Sequence, residues 1–294
     1  MGPDEGLDAA DSDTADHEFR SVKTGERGDL RSWICKPKKQ KIRAAVTVVH
    51  GLGEHADRYR ELALRFAADG MATLVFDQQG HGHSPGRRGS PRSYDSMLRD
   101  IAHAIDTLST HVDDAPLILF GHSMGGNLAA NFTLRWEHNL KGLILSAPML
   151  LPKNPPKRDQ IFAAWLTGKL LPFIRIHSPV NPSQLTHDEH EIELAKRDPL
   201  MHSRISLRLG TQLLAQGRYA LDHARELISP LLVLHGDEDS STDAAASHAF
   251  CLRVGDTAKY VNFEGMYHDV LHEIGREHVY QELLGWLNEL IDSH

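Results

Sequence analysis

The chain of 294 residues is long enough for one large α/β domain with an insertion, or for two modest domains. Hydrophobic residues make up 40% of it and charged residues 24%, an ordinary globular mixture that predicts a packed core. The formal net charge of −8 argues against a nucleic-acid partner, because phosphate backbones attract clustered lysine and arginine.

The first residues of the chain are acidic and carry no apolar periodicity, so we predict a disordered tail over residues 1–18. They lack the basic start and apolar centre of a secretory signal.

Cys35 and Cys251 are too few for a disulfide framework, which favours a reducing compartment. The sequence has no stretch of about 18 apolar residues that could span a membrane. We therefore expect a cytoplasmic protein and leave peripheral membrane contact open.

Short apolar runs alternate with amphipathic stretches in two parts of the chain, residues 19–148 and 229–294. This alternation predicts an α/β core in which helices flank a mostly parallel sheet. Strands are predicted over residues 44–49, 72–76, 116–120, 143–146, 230–234 and 260–263. Helices are predicted over residues 59–70, 97–108, 127–134 and 278–291.

The alternation stops between residues 149 and 228, where prolines are frequent and no clear strand pattern occurs. Because the sheet pattern resumes directly afterwards, we interpret this segment as a helical cap inserted between two strands. The cap contains an apolar stripe formed by Ile161, Phe162, Trp165, Leu166 and Leu170. Its spacing fits a lid over an apolar channel that also touches a membrane surface. The alternative is simple packing of the cap onto the core.

A serine in a glycine-rich turn joins the predicted strand 116–120 to the predicted helix 127–134. The residues from Gly121 to Gly125 follow the pattern Gly-x-Ser-x-Gly, with Ser123 at the centre. On such a strand-to-helix elbow the serine is held above the sheet, and glycines at the flanking positions avoid steric clashes. The alternative is a turn with a capping serine. We predict an α/β-hydrolase fold in which Ser123 is the nucleophile.

A serine hydroxyl becomes a good nucleophile only when a base takes its proton and an acid orients that base. In this fold the chain order is serine, acid, histidine. Asp239 follows the predicted strand 230–234, and His268 follows the predicted strand 260–263. Both lie past the carboxyl ends of strands, where open α/β sheets place their chemistry. We assign Asp239 as the acid and His268 as the base. The rivals are Asp237 and Asp243 for the acid, as loop carboxylates or a helix N-cap, and His272 for the base.

The loop after the first predicted strand supplies the remaining element of such a site. Gly51-Leu52-Gly53 offers a flexible backbone, and we predict that the amides of Leu52 and Met124 form an oxyanion hole. The alternative is a glycine-rich turn without a catalytic role.

His81 and His83 could contribute two metal ligands, but no third ligand follows at a matching interval. We therefore predict neither a metal site nor a cofactor.

With these residues placed, the chain resembles the monoglyceride lipase family within the lysophospholipase-like serine hydrolases. The resemblance runs from about residue 19 to the C-terminus. It rests on residues 50–55, 58–59, 76–77, 80–84, 121–126, 198–200, 267–268 and 271–272. It implies hydrolysis of a monoacylglycerol to a fatty acid and glycerol. It also implies that Glu54, Arg58 and His122 line the polar end of the pocket. The alternatives are a salt bridge between Glu54 and Arg58 and a packing role for His122.

Two positions depart from the family pattern. Ala195 stands where animal members carry a tyrosine, which affects glycerol recognition. Thr242 stands where they carry a cysteine, so thiol-directed inhibitors are expected to fail.

The alternative functions are a general carboxylesterase or lysophospholipase with the same triad, and a non-catalytic binding module on this scaffold. We expect a small lipid ester as the partner, and the sequence leaves the oligomeric state open.

Overall fold

The computed structural model describes residues 16–136, 139–171, 174–177 and 181–293. The predicted tail therefore lies outside the described residues up to position 15. The first strand begins at His17 and pairs along its whole length with the second strand, so that His17 faces Pro37 and Glu18 faces Lys36. The predicted end of the tail at residue 18 is therefore two residues too late.

The central sheet contains eight strands, and a separate sheet contains two. In chain order the strands are β1 His17–Thr24, β2 Leu30–Pro37, β3 Ala44–Val49, β4 Met71–Phe76, β5 Leu117–His122, β6 Leu140–Ser146, β7 Arg175–His177, β8 Arg204–Ser206, β9 Leu231–Gly236 and β10 Ala258–Phe263. The order in the central sheet is β1-β2-β4-β3-β5-β6-β9-β10. From β4 to β10 all neighbours are parallel, and β2, near one edge, runs antiparallel to both of its neighbours, β1 and β4.

All six predicted strands are confirmed, with ends that differ by a few residues. Five of them were predictable because parallel strands inside the sheet are covered on both faces and are therefore continuously apolar. The sixth, β10, lies at the edge and is only partly buried. The sequence analysis missed β1 and β2. Since β1 lies at the edge of the sheet and is largely exposed or half-buried, it has no apolar run to reveal it.

The helices are α1 Arg60–Ala68, α2 Tyr94–Ser109, α3 Met124–Arg135, α4 Arg158–Leu170, α5 Glu189–Arg197, α6 Leu207–His223, α7 Ala244–Val254 and α8 Arg276–Asp292. The four predicted helices correspond to α1, α2, α3 and α8, and all four are confirmed. One buried cluster packs α2 and α3 on the sheet and includes Ile101 and Phe132. A second packs α1 and α8 and includes Phe66 and Leu287. Helices therefore cover both faces of the sheet.

Residues 149–228, which we call the cap, contain α4, α5 and α6. The expectation of no strand is wrong, because β7 and β8 pair antiparallel. Strands of three residues are too short to show a periodic pattern. The packing interpretation of the apolar stripe is also wrong for four of its five members, since Phe162, Trp165, Leu166 and Leu170 are 63%, 48%, 42% and 69% exposed. In the part of the chain that the structure describes, the helices lack the combination of length and apolar character that a membrane crossing requires.

Candidate active site

Ser123 occupies a sharp turn between β5 and α3. Its φ of 54° lies in the left-handed region, which is strained for a residue with a side chain. The elbow packs so tightly that a Cβ on Gly121 would lie 2.4 Å from the carbonyl oxygen of Gly125. A Cβ on Gly125 would lie 2.0 Å from the carbonyl oxygen of Val49. Both positions therefore require glycine, and the serine is held above the carboxyl end of β5.

The three residues assigned from the sequence meet in one hydrogen-bonded chain. His268 Nε2 lies 2.8 Å from Ser123 Oγ, and His268 Nδ1 lies 2.7 Å from Asp239 Oδ2. Asp239 is in the loop after β9 and His268 in the loop after β10, so neighbouring strand ends position both side chains. With its Nδ1 proton donated to the carboxylate, the imidazole presents a free Nε2 lone pair to the serine hydroxyl.

The rivals for these roles lie elsewhere. Asp237 is exposed and accepts a hydrogen bond from the amide of Gly265, and Asp243 caps α7 through the amide of Ala245. His272 is buried in a short 3-10 helix before α8, where its two ring nitrogens contact Asp269 Oδ1 and the carbonyl of Arg58. Of these candidates, only Asp239 and His268 extend the chain from Ser123.

Neighbouring charges shift the pKa values of Asp239 and His268. Burial would raise the pKa of the Asp239 carboxyl, but the neighbouring His268 and the hydrogen bond from His235 hold it far below its usual range. Burial would also lower the pKa of His268, but the carboxylate of Asp239 outweighs that effect and raises it. Asp239 therefore stays ionised, and His268 takes up a proton more readily than a free imidazole.

The raised pKa of His268 leads to a prediction on the pH dependence of activity. A general base must be neutral in the free enzyme, and kcat/KM reports the free enzyme. Because the pKa lies above the ordinary value of about 6.5, we expect the acid limb of kcat/KM to have its midpoint above pH 6.5. Below it, the rate should fall about tenfold per pH unit. The measurement is a pH profile on a soluble ester, and a midpoint below 6.5 would contradict the assigned base.

A cavity of about 610 Å³ opens at Ser123. Leu52 and Met124, the two residues expected to supply the oxyanion-hole amides, line it beside the serine. Glu54, Lys196 and Asp198 are charged residues in its wall. Most of the remaining wall is apolar, and its larger apolar side chains are Met149, Leu185, Met201, Ile205 and Leu213. The cavity can therefore hold a polar group and an alkyl chain together.

The three residues expected at the polar end of the pocket take different positions. Glu54 lines the cavity and is held by the amide of Gly51 and the hydroxyl of Tyr59, at 3.0 and 2.9 Å from its Oε2. His122 is buried, with Nδ1 3.2 Å from Ser146 Oγ, and is not among the cavity-lining residues. Its Nε2 lies 3.7 Å from Oε1 of Glu54, which does line the cavity, so the role of His122 at the polar end stays a prediction.

Arg58 differs from the expectation, since it is not among the residues that line the cavity. Its guanidinium pairs with Glu191 of α5 at 3.1 Å and with Asp269, next to His268, at 3.3 Å. The alternative of a simple bridge to Glu54 is not what forms. Arg58 instead joins the cap to the loop that carries His268, because two carboxylates from those elements converge on it.

The sequence analysis missed the contacts by which the cap holds the predicted oxyanion loop. His55 Nε2 lies 2.7 Å from Asp198 Oδ2, and the amide of His202 donates to the carbonyl of Gly53 at 3.0 Å. Gly53 has a φ of 80°, and a Cβ there would lie 1.8 Å from the carbonyl of His202. Residues 198–200, with the sequence Asp-Pro-Leu, were part of the family resemblance. The contact of Asp198 with His55, 143 residues earlier in the chain, could not be read from the sequence.

His81, one of the two histidines considered as metal ligands, lies in the loop after β4. Its buried ring packs against His50 and His202, with ring centroids 5.2 and 4.8 Å apart. Among the described residues, no group of three or more His, Cys, Asp or Glu side chains is arranged to hold a metal ion. The loop that follows β4 thus packs through His81 against one histidine after β3 and one in the cap.

Known proteins are similar to this chain over most of its length. Residues 40–275 match the family described as "Serine aminopeptidase, S33". The monoglyceride lipase of Rattus norvegicus is 30% identical over 235 residues, which cover 79% of this chain and 77% of the rat protein. The chain belongs to the monoglyceride lipase family. The crystal structure of the Paleococcus ferrophilus monoacylglycerol lipase, 26% identical, superposes with a TM-score of 0.78 over 93% of this chain and 99% of that one.

A further relative is an uncharacterized abhydrolase domain-containing protein of Dictyostelium discoideum, 34% identical over 90% of this chain. The chain spans only 28% of the length of that relative. The family and the structural match confirm the α/β-hydrolase fold and identify the chain as a carboxylic ester hydrolase.

Proposed function

We propose that the protein hydrolyses monoacylglycerols to a fatty acid and glycerol through an acyl-enzyme on Ser123. The observation that carries the proposal is the chain Asp239–His268–Ser123, with contacts of 2.7 and 2.8 Å, opening into a cavity that is mostly apolar and has carboxylates in its wall. Monoglyceride lipases among the relatives support the same substrate class.

The mechanism is a two-step acyl transfer. His268 Nε2 takes the proton of Ser123 as Oγ attacks the ester carbonyl, and Asp239 stabilises the imidazolium. The amides of Leu52 and Met124 hold the oxyanion, each worth about 3 kcal/mol of transition-state stabilisation. His268 then gives its proton to the departing glycerol oxygen. Water, activated by the same base, attacks the acyl-enzyme and releases the fatty acid.

The cavity supplies the argument for the substrate. The apolar part of the wall removes an acyl chain from water, at roughly 0.8 kcal/mol per buried methylene. Glu54, fixed by two hydrogen bonds to its Oε2, can accept hydrogen bonds from the hydroxyls of a glycerol head group. Ala195 lies in the cavity wall where animal family members carry a tyrosine, so head-group selection depends on fewer side chains here.

Head-group preference tests this proposal when the acyl chain is held constant. We expect kcat/KM for 1-oleoylglycerol to exceed that for methyl oleate by about tenfold, which corresponds to one hydrogen bond to a charged group. The assay measures released oleate, with Ser123→Ala as the background. Equal values for the two esters would indicate a general carboxylesterase. A preference for oleoyl lysophosphatidylcholine would indicate a lysophospholipase. Either result would reject the proposed substrate.

We also propose that α4 gives the enzyme peripheral contact with lipid membranes. Its exposed aromatic side chains Phe162 and Trp165 stand beside the exposed Leu166 and Leu170. Lys169 lies over the Trp165 ring at 5.4 Å and adds a positive charge to the same surface. Exposed aromatic and leucine side chains of this kind can insert at the boundary between head groups and acyl chains. None of these side chains lines the cavity at Ser123, so their exposure calls for another role.

Removing the aromatic side chains of α4 should weaken membrane binding and spare the chemistry. For Phe162→Glu combined with Trp165→Glu, we expect vesicle binding to fall about tenfold or more. Activity on a soluble ester should stay within roughly twofold. Sedimentation with phosphatidylcholine and phosphatidylserine vesicles measures the binding. Leu252→Glu, which changes a 70% exposed leucine on α7, is the matched control. Unchanged binding of the double variant would refute this role for α4.

A further inference from the structure

The carboxylate of Asp239 has more hydrogen-bond donors than a triad requires. Its Oδ2 accepts from His268 Nδ1 at 2.7 Å, from His235 Nε2 at 2.9 Å and from Thr242 Oγ1 at 2.6 Å. Its Oδ1 accepts from the amides of Ser241 and Thr242 at 2.7 and 3.0 Å. An ionised carboxylate offers about four lone-pair sites for these five donors. His268 therefore competes for Oδ2 with two other groups.

His235 is the donor whose presence no part of the mechanism explains. It is the fifth residue of β9, is completely buried, and contacts the same oxygen of Asp239 that His268 contacts. Its other ring nitrogen, Nδ1, lies 3.0 Å from Ser247 Oγ on α7, whose side chain is also buried. A serine hydroxyl that donates to Nδ1 fixes the imidazole proton on Nε2, where it points to Asp239. Burial lowers the pKa of His235, which keeps the ring neutral.

We propose that His235, oriented by Ser247, is a positioning residue that withdraws charge from Asp239 and so moderates how strongly His268 holds its proton. A hydrogen bond donated to Oδ2 stabilises the carboxylate and leaves less of its charge to attract the imidazolium. A base that held its proton too strongly would be slow to release it to the leaving group. This inference rests on the triad roles of the proposed function and is independent of the substrate.

Other charged and polar groups also lie near His235 and His268, and they are the same in every variant of the test. His268 faces the carboxylates of Asp239, Asp269 and Glu54 and the ring of His122, whose centroid is 5.0 Å away. His235 faces Asp239, Asp243 and His268. Thr242 lies near both rings, at 3.3 Å from His235 Nε2 and 3.4 Å from His268 Nδ1. A substitution at His235 leaves all of these groups in place.

The test compares the pH profiles of kcat/KM for the wild type and two variants on p-nitrophenyl butyrate. In His235→Leu the donor is lost, so we expect the acid limb to move upward by about half to one pH unit. We expect kcat to fall about tenfold with KM little changed, since the change acts through Asp239 and not on substrate binding. His235→Gln, whose amide can donate from nearly the same place, should restore both values toward the wild type.

A purely structural role would give a different result. If the acid limb stays in place or moves downward in His235→Leu, or if His235→Gln behaves as the leucine variant does, the inference is wrong. Ser247→Ala provides a second test that leaves the imidazole present, and it should move the limb in the same direction by a smaller amount. His248→Leu removes an exposed histidine from the same helix as Ser247 and should leave the limb unchanged. Loss of wild-type activity in Ser123→Ala tests the proposed function separately.

Discussion

Replacing Ser123 with alanine is expected to lower kcat by about 10⁴- to 10⁶-fold on any ester that the enzyme accepts. The hydroxyl is the attacking group, and the rest of the site cannot supply another nucleophile at the same place. The remaining activity would come from the predicted oxyanion amides and from substrate binding alone. Steady-state hydrolysis of 1-oleoylglycerol and of a soluble ester measures the loss.

The loss must come from the chemistry and not from the fold. Alanine can replace serine at a φ of 54° without a change in backbone strain, because both residues carry a Cβ. We therefore expect a melting temperature close to that of the wild type. Ser109→Ala removes an exposed hydroxyl from α2 and serves as the matched control. Residual activity above one part in about a hundred would show that another residue performs the attack.

Replacing Asp239 with asparagine is expected to lower kcat by about 10³- to 10⁴-fold with little change in KM. An amide presents at least one N–H group to surroundings that consist of donors. It therefore cannot accept from His268 and also satisfy His235, Thr242 and the loop amides. The imidazole loses its orientation and its preferred tautomer. Because buried donors lose their acceptor, the free energy of unfolding should fall by about 1–3 kcal/mol.

The neighbouring carboxylate provides the control for this prediction. Asp237 is exposed, stands two residues earlier in the same loop and contacts the backbone of Gly265. Asp237→Asn should keep kcat within roughly twofold of the wild type. The prediction fails if Asp239→Asn keeps more than about a tenth of the activity, or if Asp237→Asn shows the large loss instead. Chemical denaturation of both variants separates stability from catalysis.

The sequence was sufficient for the core of the fold and for the candidate triad because both depend on local patterns. Parallel strands buried on two faces are continuous apolar runs, and the ends of these runs mark the edge where Ser123, Asp239 and His268 lie. The glycines at 121 and 125 are forced by backbone contacts within and beside the turn. Such constraints act over a few residues and therefore leave a readable signature.

The features that the sequence could not show are contacts between residues far apart in the chain and the exposure of particular helix faces. The pairing of His55 with Asp198 joins residues 143 positions apart, and Ser247 reaches His235 only because α7 packs beside β9. The apolar stripe of α4 was recognised from its spacing, but a periodic pattern does not say what its residues contact. Arg58 was expected in the pocket because the family resemblance implies it. The fold instead surrounds it with two carboxylates.

The central claim, that Ser123 is the nucleophile of this ester hydrolase, is tested most directly by covalent labelling and peptide mapping. The protein is treated with a fluorophosphonate, which reacts with activated serines, and the labelled peptide is identified by mass spectrometry. We predict one label per chain on Ser123 and loss of esterase activity in proportion to labelling. Ser123→Ala should not be labelled, and Asp239→Asn should be labelled more slowly than the wild type. A label on a different residue, or full hydrolytic activity in protein whose Ser123 is labelled, would contradict the account.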